Sequence, residues 1–260
     1  MPLKGEVIRA AENLKYIAVA FTGVDHVDLD ACKEKGIQVS NAAGYATINV
    51  AELFIGLALA LLRDIVPLDK VTREGGTMAG PGQDLGDKTV GIVGTGAIGA
   101  ESAKLALAFG CDVLGYDVVE NESLKEAGVK YLPLNELLKQ SDIVTIHLPL
   151  LDSTEGLINK ERLELMKPTA FLINAARGPI VDNDALAQAL KDGKIAGAGI
   201  DVFDMEPPIP ADYPLLSAPN TILTPHIGFF TKEAMIRRAH ITFDDNIAKW
   251  LDGDQQNIIL

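Results

Sequence analysis

Residues 89–99, TVGIVGTGAIG, constrain the fold more than any other stretch of this chain of 260 residues. An apolar run enters a turn in which Gly94, Gly96 and Gly99 fit the pattern G-x-G-x-x-G. The spacing predicts a strand, a tight glycine turn and the start of a helix. A strand that passes through such a turn into a helix is a building unit of parallel α/β sheets.

The chain after residue 88 alternates regularly between strand and helix patterns. The predicted strands are 89–94, 111–117, 142–148, 170–176, 196–203 and 221–224, and the predicted helices are 97–109, 135–140, 159–166, 182–191 and 231–251. Continuous apolar strands separated by helices indicate a parallel sheet that is covered on both faces. The predicted fold class is therefore α/β, with a Rossmann-type doubly wound sheet.

The first 88 residues have a less regular pattern. The expected elements are a helix over 6–13, strands over 15–21 and 36–41, a helix over 28–36 and a long apolar helix over 47–63. The apolar run 53–62 is too short to cross a bilayer, so we expect it to be a buried helix. The glycine-rich stretch 73–86 is interpreted as a loop and a boundary.

The charge balance limits the classes of partner. A formal net charge of −13 argues against a nucleic-acid or anionic-membrane surface, although one arginine suffices to bind a small anionic substrate. Cys32 and Cys111 lack the spacing of metal ligands, so we expect structural thiols in a reducing compartment and no metal site. The start of the sequence carries no secretion signal pattern. The expected location is the cytoplasm.

The glycine turn is compatible with two roles, close packing of the helix on the strand or binding of a dinucleotide. Glycines between a strand and a helix can serve close packing alone. Here the next strand ends in Asp117, 23 residues beyond Gly94, which fits the dinucleotide-binding fingerprint. The helix N-terminus would receive phosphates, and Asp117 would accept from ribose hydroxyls and repel a 2′-phosphate. The sequence therefore favours NAD over NADP as cofactor.

Three later strands deliver reactive side chains near their carboxyl ends, where doubly wound sheets bind ligands. These side chains are Arg177, Glu206 and His226. An arginine can grip a carboxylate with two hydrogen bonds, and a histidine can exchange a proton near neutral pH. A neighbouring Glu206 favours the protonated form of that histidine. Each residue alone is compatible with an ordinary surface role, but together they suit the reduction of a 2-keto acid. His147 ends another strand at this rim and is expected to line the site.

Motifs over nearly the whole chain resemble the D-isomer-specific 2-hydroxyacid dehydrogenases. They are GTGAIG followed by Asp117, HLPLLDSTEGLI (147–158), NAARGPIVDNDAL (174–186), AGIDVFDMEP (198–207) and TPHIGF (224–229), with LKYIAVAFTGVDHVDL (14–29) and SNAAGYATINVAE (40–52) upstream. The resemblance implies an NAD-dependent oxidoreductase that interconverts a small 2-keto acid and a D-2-hydroxy acid. Arg177, Glu206 and His226 would be its catalytic set.

The resemblance also implies binding residues. Those expected beside NAD, in addition to the three glycines, are Ala97, Ile98, Asp117, His147, Pro149, Thr154, Ala175, Ala176 and Asp201. The backbone near Gly23 and Val24 would receive the substrate carboxylate, with Tyr45 and Phe229 nearby. The aromatic residues Tyr45, Phe229 and Phe230 are most like the D-lactate dehydrogenase branch, and hydroxypyruvate and glyoxylate reductases are close neighbours. A glutamate at 206 disfavours formate as substrate.

The same resemblance predicts the domain organisation. A discontinuous, flavodoxin-like substrate domain would comprise residues 1–85 and 230–260, and an NAD-binding domain over 86–229 would be inserted into it. A homodimer is implied. Only two strands are expected before residue 45, which suggests that the substrate domain lacks an N-terminal segment; a naturally minimal domain is the alternative. A non-catalytic NAD(H)-binding protein, either a corepressor-like sensor or an inactive remnant, is the rival to an enzyme.

Overall fold

The computed structural model describes residues 3–78 and 80–260. Its internal contacts divide the chain into two compact units. The small unit contains the chain up to Thr47 together with Phe229–Leu260, and the large unit is Ile48–Gly228. No helix in the described part of the chain is long and apolar enough to cross a membrane.

The large unit is built on a parallel sheet of seven strands, in the order β5-β4-β3-β6-β7-β8-β9. The strands are β3 (Thr89–Val93), β4 (Asp112–Tyr116), β5 (Lys130–Tyr131), β6 (Ile143–Ile146), β7 (Phe171–Asn174), β8 (Gly197–Ile200) and β9 (Thr221–Leu223). The order reverses between β3 and β6, which makes a topological switch point beside the glycine turn. The prediction of an α/β class with a doubly wound parallel sheet is confirmed.

Helices cover both faces of this sheet. Those that bury side chains are α3 (Thr47–Leu62), α5 (Ala97–Ala108), α6 (Glu122–Glu126), α7 (Leu134–Gln140), α8 (Lys160–Leu163) and α9 (Asn183–Lys191), whereas α4 (Ile65–Arg73) buries none. One core lies around Leu137, Val144 and Leu172 and the other around Ile92 and Ile173. Strands β6, β7 and β8 are buried along their whole length, which explains their uninterrupted apolar sequences.

The division between the units differs from the expected boundary near residue 85. Helix α3 buries Phe54, Leu57 and Leu61 in the same core as Ile92 of β3 and Ile173 of β7. Those side chains are the apolar run that the sequence marks as a buried helix, so α3 packs with the sheet of the large unit. The expected loop over 73–86 follows α4, and its residue 79 lies outside the described residues.

The small unit combines both ends of the chain. Its elements are α1 (Gly5–Ala10), β1 (Tyr16–Ala18), α2 (Leu29–Lys35), β2 (Gln38–Ser40) and α10 (Lys232–His240), which continues as a π-helical segment (Ile241–Ala248) and α11 (Lys249–Leu251). Strands β1 and β2 are parallel. Ile8, Ala31 and Val39 are buried in a core of their own. Leu260, at the end of the chain, lies beside β2, and its carbonyl accepts from the Val39 amide of that strand at 2.9 Å.

Candidate active site

The glycine turn connects β3 to α5, and each of its three glycines meets a different requirement. Gly94 has a φ of +96°, a backbone conformation that favours glycine. A Cβ at Gly99 would lie 1.8 Å from the Gly94 carbonyl oxygen, so only glycine lets α5 start this close to β3. Gly96 faces open space, because an added Cβ would meet no atom within 4 Å. Ala97 and Ile98 form the first turn of the helix behind it.

Asp117 follows β4 and is fixed by the glycine turn itself. Its Oδ2 accepts from the Thr95 amide at 2.6 Å, and its Oδ1 accepts from the Val118 amide at 2.7 Å. Thr95 in turn accepts from the Tyr131 hydroxyl at 2.8 Å. The open space at Gly96, the helix N-terminus and this carboxylate together fit a dinucleotide with an unmodified ribose.

His147 lies just beyond β6, beside the glycine turn. A Cβ on Gly94 would lie 2.9 Å from the His147 carbonyl carbon. Its Nε2 is 3.1 Å from the Thr145 hydroxyl, and its buried Nδ1 has no hydrogen-bond partner among the described residues. Burial lowers the pKa of His147 to about 3, so its ring is neutral at ordinary pH.

The loop after β6 is closed by Thr154. The Thr154 hydroxyl donates to the Pro149 carbonyl at 2.7 Å and accepts from the Leu151 amide at 2.8 Å. Both predicted binding residues of this loop, Pro149 and Thr154, therefore lie in one compact turn at the carboxyl edge of the sheet.

Arg177 follows β7 in a turn that Asn174 shapes. The buried Asn174 side chain accepts from the Ala176 amide at 3.1 Å and donates to the Arg177 carbonyl at 2.9 Å. Ala175 and Ala176 thereby form a tight corner between strand and arginine. Asn174 was not among the predicted site residues, although a polar residue that ends a fully apolar strand is a signal for such a turn.

Glu206 and His226 form a close pair. Nδ1 of His226 lies 2.8 Å and 2.9 Å from the two carboxylate oxygens of Glu206. A carboxylate can only accept, so Nδ1 carries the proton and the second ring nitrogen, Nε2, remains to exchange one. The Glu206 side chain is 75% exposed and that of His226 is 23% exposed.

Asp201 holds the loop that carries His226. Its carboxylate accepts from the Thr224 hydroxyl at 2.6 Å and from the amides of Ile227 and Gly228, both at 2.8 Å. Its carbonyl accepts from the His226 amide at 2.8 Å. His226 has a φ of +55°, a strained conformation for a residue with a side chain, and these four bonds hold it.

This environment differs from the one expected for a residue that contacts the cofactor. The Asp201 side chain is completely buried, and burial raises its pKa. The side chain was expected beside NAD, and its observed contacts are all with the loop of His226. A direct contact with NAD stays a prediction.

The four residues expected at the substrate lie in the small unit. Gly23 and Val24 lie in the loop between β1 and α2. Tyr45 is 3% exposed, and its carbonyl accepts from Nε of Arg237 at 3.0 Å. The ring of Phe229 packs edge to face against that of Phe21, with centroids 6.0 Å apart. Across residues 3–78 and 80–260, His, Cys, Asp and Glu form no group of three that could hold a metal.

The strand order, the open glycine turn and the carboxylate of Asp117 define a dinucleotide-binding protein of the Rossmann class. Its sheet carries Arg177 and the Glu206–His226 pair past the carboxyl ends of the neighbouring strands β7, β8 and β9. A cation, a proton carrier and a nucleotide site on one edge are the parts that a dehydrogenase of hydroxy acids uses.

The chain belongs to the D-isomer specific 2-hydroxyacid dehydrogenase family, whose NAD binding domain matches residues 55–228. NAD is accordingly its cofactor, and the family's members are oxidoreductases. The chain is 43% identical over 256 residues to a glyoxylate reductase of Thermofilum pendens, in a match that covers 95% of this chain and 75% of the relative.

Solved structures agree with the family assignment. A D-lactate dehydrogenase from Aquifex aeolicus, complexed with NAD and lactic acid, is 36% identical with a TM-score of 0.91 and matches 97% of this chain and 80% of its own. An acyclic imino acid reductase in complex with NADPH and D-Arg is 32% identical with a TM-score of 0.92, covering 100% of this chain and 83% of its own.

Proposed function

We propose that this protein reduces a short 2-keto acid to the D-2-hydroxy acid, and catalyses the reverse reaction, with Arg177, Glu206 and His226 as its catalytic residues. The observation that carries the proposal is the contact of both Glu206 oxygens with Nδ1 of His226. With Nδ1–H directed at Glu206, the doubly protonated ring of His226 gives its Nε2 proton to the substrate oxygen during reduction, and the resulting neutral ring takes a proton back at Nε2 in the reverse reaction. When bound, NADH supplies the hydride.

Arg177 has the chemistry to bind the keto acid. Its guanidinium stays charged and can grip the substrate carboxylate through two parallel hydrogen bonds. The Asn174 corner supports this role because it fixes the backbone from which the side chain extends. Gly23, Val24, Tyr45 and Phe229 remain proposed substrate residues. The small unit remains the proposed substrate domain, and the large unit the proposed nucleotide domain.

The substrates to test first are glyoxylate, hydroxypyruvate and pyruvate. Relatives with 43% and 37% identity carry the names glyoxylate reductase and hydroxypyruvate reductase, and a solved relative holds lactic acid. All three keto acids are small and carry one carboxylate. We further propose a cytoplasmic homodimer.

The first prediction concerns His226→Ala. We expect turnover of all three keto acids to fall at least about a hundredfold, because the proton donor is removed. Binding of NADH, measured by fluorescence titration, should stay within a factor of about two, since the nucleotide site is elsewhere on the edge. The matched control is His240→Ala, which removes an exposed histidine of α10 that pairs with Asp244.

The same assay separates an enzyme from a non-catalytic NAD(H)-binding protein. Wild-type protein that binds NADH but oxidises it with none of the keto acids would exclude the proposed activity. Turnover that survives in His226→Ala would instead leave the activity in place and remove His226 from its mechanism.

A further inference from the structure

Asp204 lies in the segment that follows β8, two residues before Glu206. Its Oδ1 accepts from Nδ2 of Asn183 at 2.7 Å, and its Oδ2 accepts from the Tyr213 hydroxyl at 2.7 Å. Both donors are buried, Asn183 with 4% and Tyr213 with 7% of its surface exposed. We propose that Asp204 is a positioning residue, which fixes Glu206 relative to Arg177.

The donors on Asp204 are themselves firmly placed. The ring of Tyr213 packs edge to face on Phe203 at 5.6 Å. Burial, and then the hydrogen bond to Asp204, raise the pKa of Tyr213, so its phenol keeps the proton that it donates. Asn183 is the first residue of α9, so the helix fixes the position of its backbone.

Asn183 also ties Asp204 to the turn that follows Arg177. Its Nδ2 lies 3.4 Å from the Gly178 carbonyl oxygen while it donates to Asp204. Gly178 packs directly on the backbone before Asp204, because a Cβ there would lie 1.9 Å from the Phe203 carbonyl oxygen. The segments that carry Arg177 and Glu206 are therefore in direct backbone contact. The hydrogen bond between the Asp204 carboxylate and Asn183 stabilises that contact.

Glu206 needs such an anchor. Between the end of β8 at Ile200 and the 3₁₀ turn at Pro214, the described chain forms neither helix nor strand. An exposed carboxylate on irregular backbone samples many positions, and each ordered rotamer has an entropic cost. An anchored carboxylate two residues earlier limits that freedom and keeps Glu206 in reach of His226.

The test compares variants of the 260-residue chain, and it rests on the proposed function for its kinetic readout. Asp204→Ala should lower kcat by roughly ten- to a hundredfold, the usual effect of a displaced catalytic group, with KM for the keto acid within about twofold. Tyr213→Phe should lower kcat less. Asp204→Asn should recover most of the loss, because its amide accepts from Asn183 and donates to Tyr213.

The matched control is Asp212→Ala, which removes an exposed aspartate of the same irregular segment and should leave kcat unchanged. The decisive measurement is a double-mutant cycle with Glu206→Gln. If Asp204 acts through Glu206, Asp204→Ala adds little further loss of kcat once Glu206→Gln is present. Equal losses in both backgrounds would overturn the proposal and leave Asp204 a purely structural residue.

A second readout does not depend on turnover. The ring N–H proton of His226, assigned by its absence in His226→Ala, reports the contact with Glu206 in an NMR spectrum. Its signal should shift or broaden in Asp204→Ala and Tyr213→Phe, and stay in place in Asp212→Ala. An unchanged signal would contradict the positioning role. A wild-type protein without turnover refutes only the proposed activity.

Discussion

At the scale of single residues, the burial of His147 predicts how the free energy of unfolding depends on pH. An unfolded chain protonates a histidine below about pH 6.5, but burial lowers the pKa of His147 in the fold to about 3. Between these values the unfolded state holds more protons, so stability rises with pH and is lost as pH falls. From pH 7 to pH 5 the loss amounts to roughly 2 kcal/mol.

His147→Gln should remove this acid sensitivity, because glutamine keeps a polar end for Thr145 and cannot take a proton. Urea unfolding at pH 7 and pH 5 should show the difference in unfolding free energy shrinking by about 2 kcal/mol relative to wild type. His240→Gln, at an exposed site on α10, is the control and should leave the difference unchanged. An equal pH dependence in His147→Gln and wild type contradicts the buried neutral state.

The edge of the sheet that carries Arg177, Glu206 and His226 could be predicted from the sequence, because the loops after parallel strands all emerge on one side of the sheet. The contacts among those residues could not. Asp201 holds three donors from the loop 224–228, and that loop returns through a positive φ at His226. No local pattern specifies such a path, so Asp201 could be expected near the site but not as the residue that shapes it.

At the scale of elements, the glycine turn offers a matched pair of substitutions. Gly99→Ala places a methyl group 1.8 Å from a backbone oxygen of the turn, so α5 must move away from β3. We expect the free energy of unfolding to fall by about 1–3 kcal/mol and NADH binding to be lost. Thermal unfolding and fluorescence titration of NADH measure the two effects.

Gly96→Ala should separate these effects. Gly96 has a φ of −63° and open space around it, so an alanine fits the protein without strain. Its methyl group would nevertheless occupy the approach of the pyrophosphate to the helix N-terminus. We expect an unchanged melting temperature with weaker NADH binding. Unaltered affinity in Gly96→Ala would mean that the cofactor does not use this face of the turn.

Most elements were predictable, and the exceptions have physical reasons. Helix α4 was not predicted, because Pro67 interrupts its nine residues and none of its side chains is buried. Strand β5 has two residues, too few for any alternation. The expected single helix over 231–251 contains the π-helical segment Ile241–Ala248, whose altered hydrogen bonding leaves no mark in hydrophobic periodicity.

At the scale of the whole molecule, the two units differ in whether one segment of the chain or two separate segments form them. The large unit is continuous, whereas the small unit is completed by the last residues of the chain. The boundary at Thr47 could not be predicted from the sequence. The apolar residues of α3 indicate that the helix is buried, but they do not indicate which of the two units it packs with. Only the contacts of Phe54 and Leu57 with the sheet decide that.

A chain shortened to end at Asp254 tests how the small unit depends on its C-terminus. Residues 255–260 cover the edge of β2: Val39 donates to the Leu260 carbonyl at 2.9 Å and accepts from the Ile259 amide at 2.8 Å. Gln255 adds a bond to the same Val39 carbonyl at 3.2 Å. These three bonds, at about 1 kcal/mol each, are part of what the shortened chain loses, so the small unit should lose at least about 3 kcal/mol.

Hydrogen exchange at the Val39 amide is the sharpest readout, because its partner oxygen belongs to Leu260. Removal of residues 255–260 should speed that exchange by about two orders of magnitude, while amides of β6 in the large unit keep their protection. The control is Ile258→Ala, which trims an exposed side chain of the same segment and leaves the backbone pairing intact. Val39 protection that survives in the shortened chain would show that β2 holds without residues 255–260.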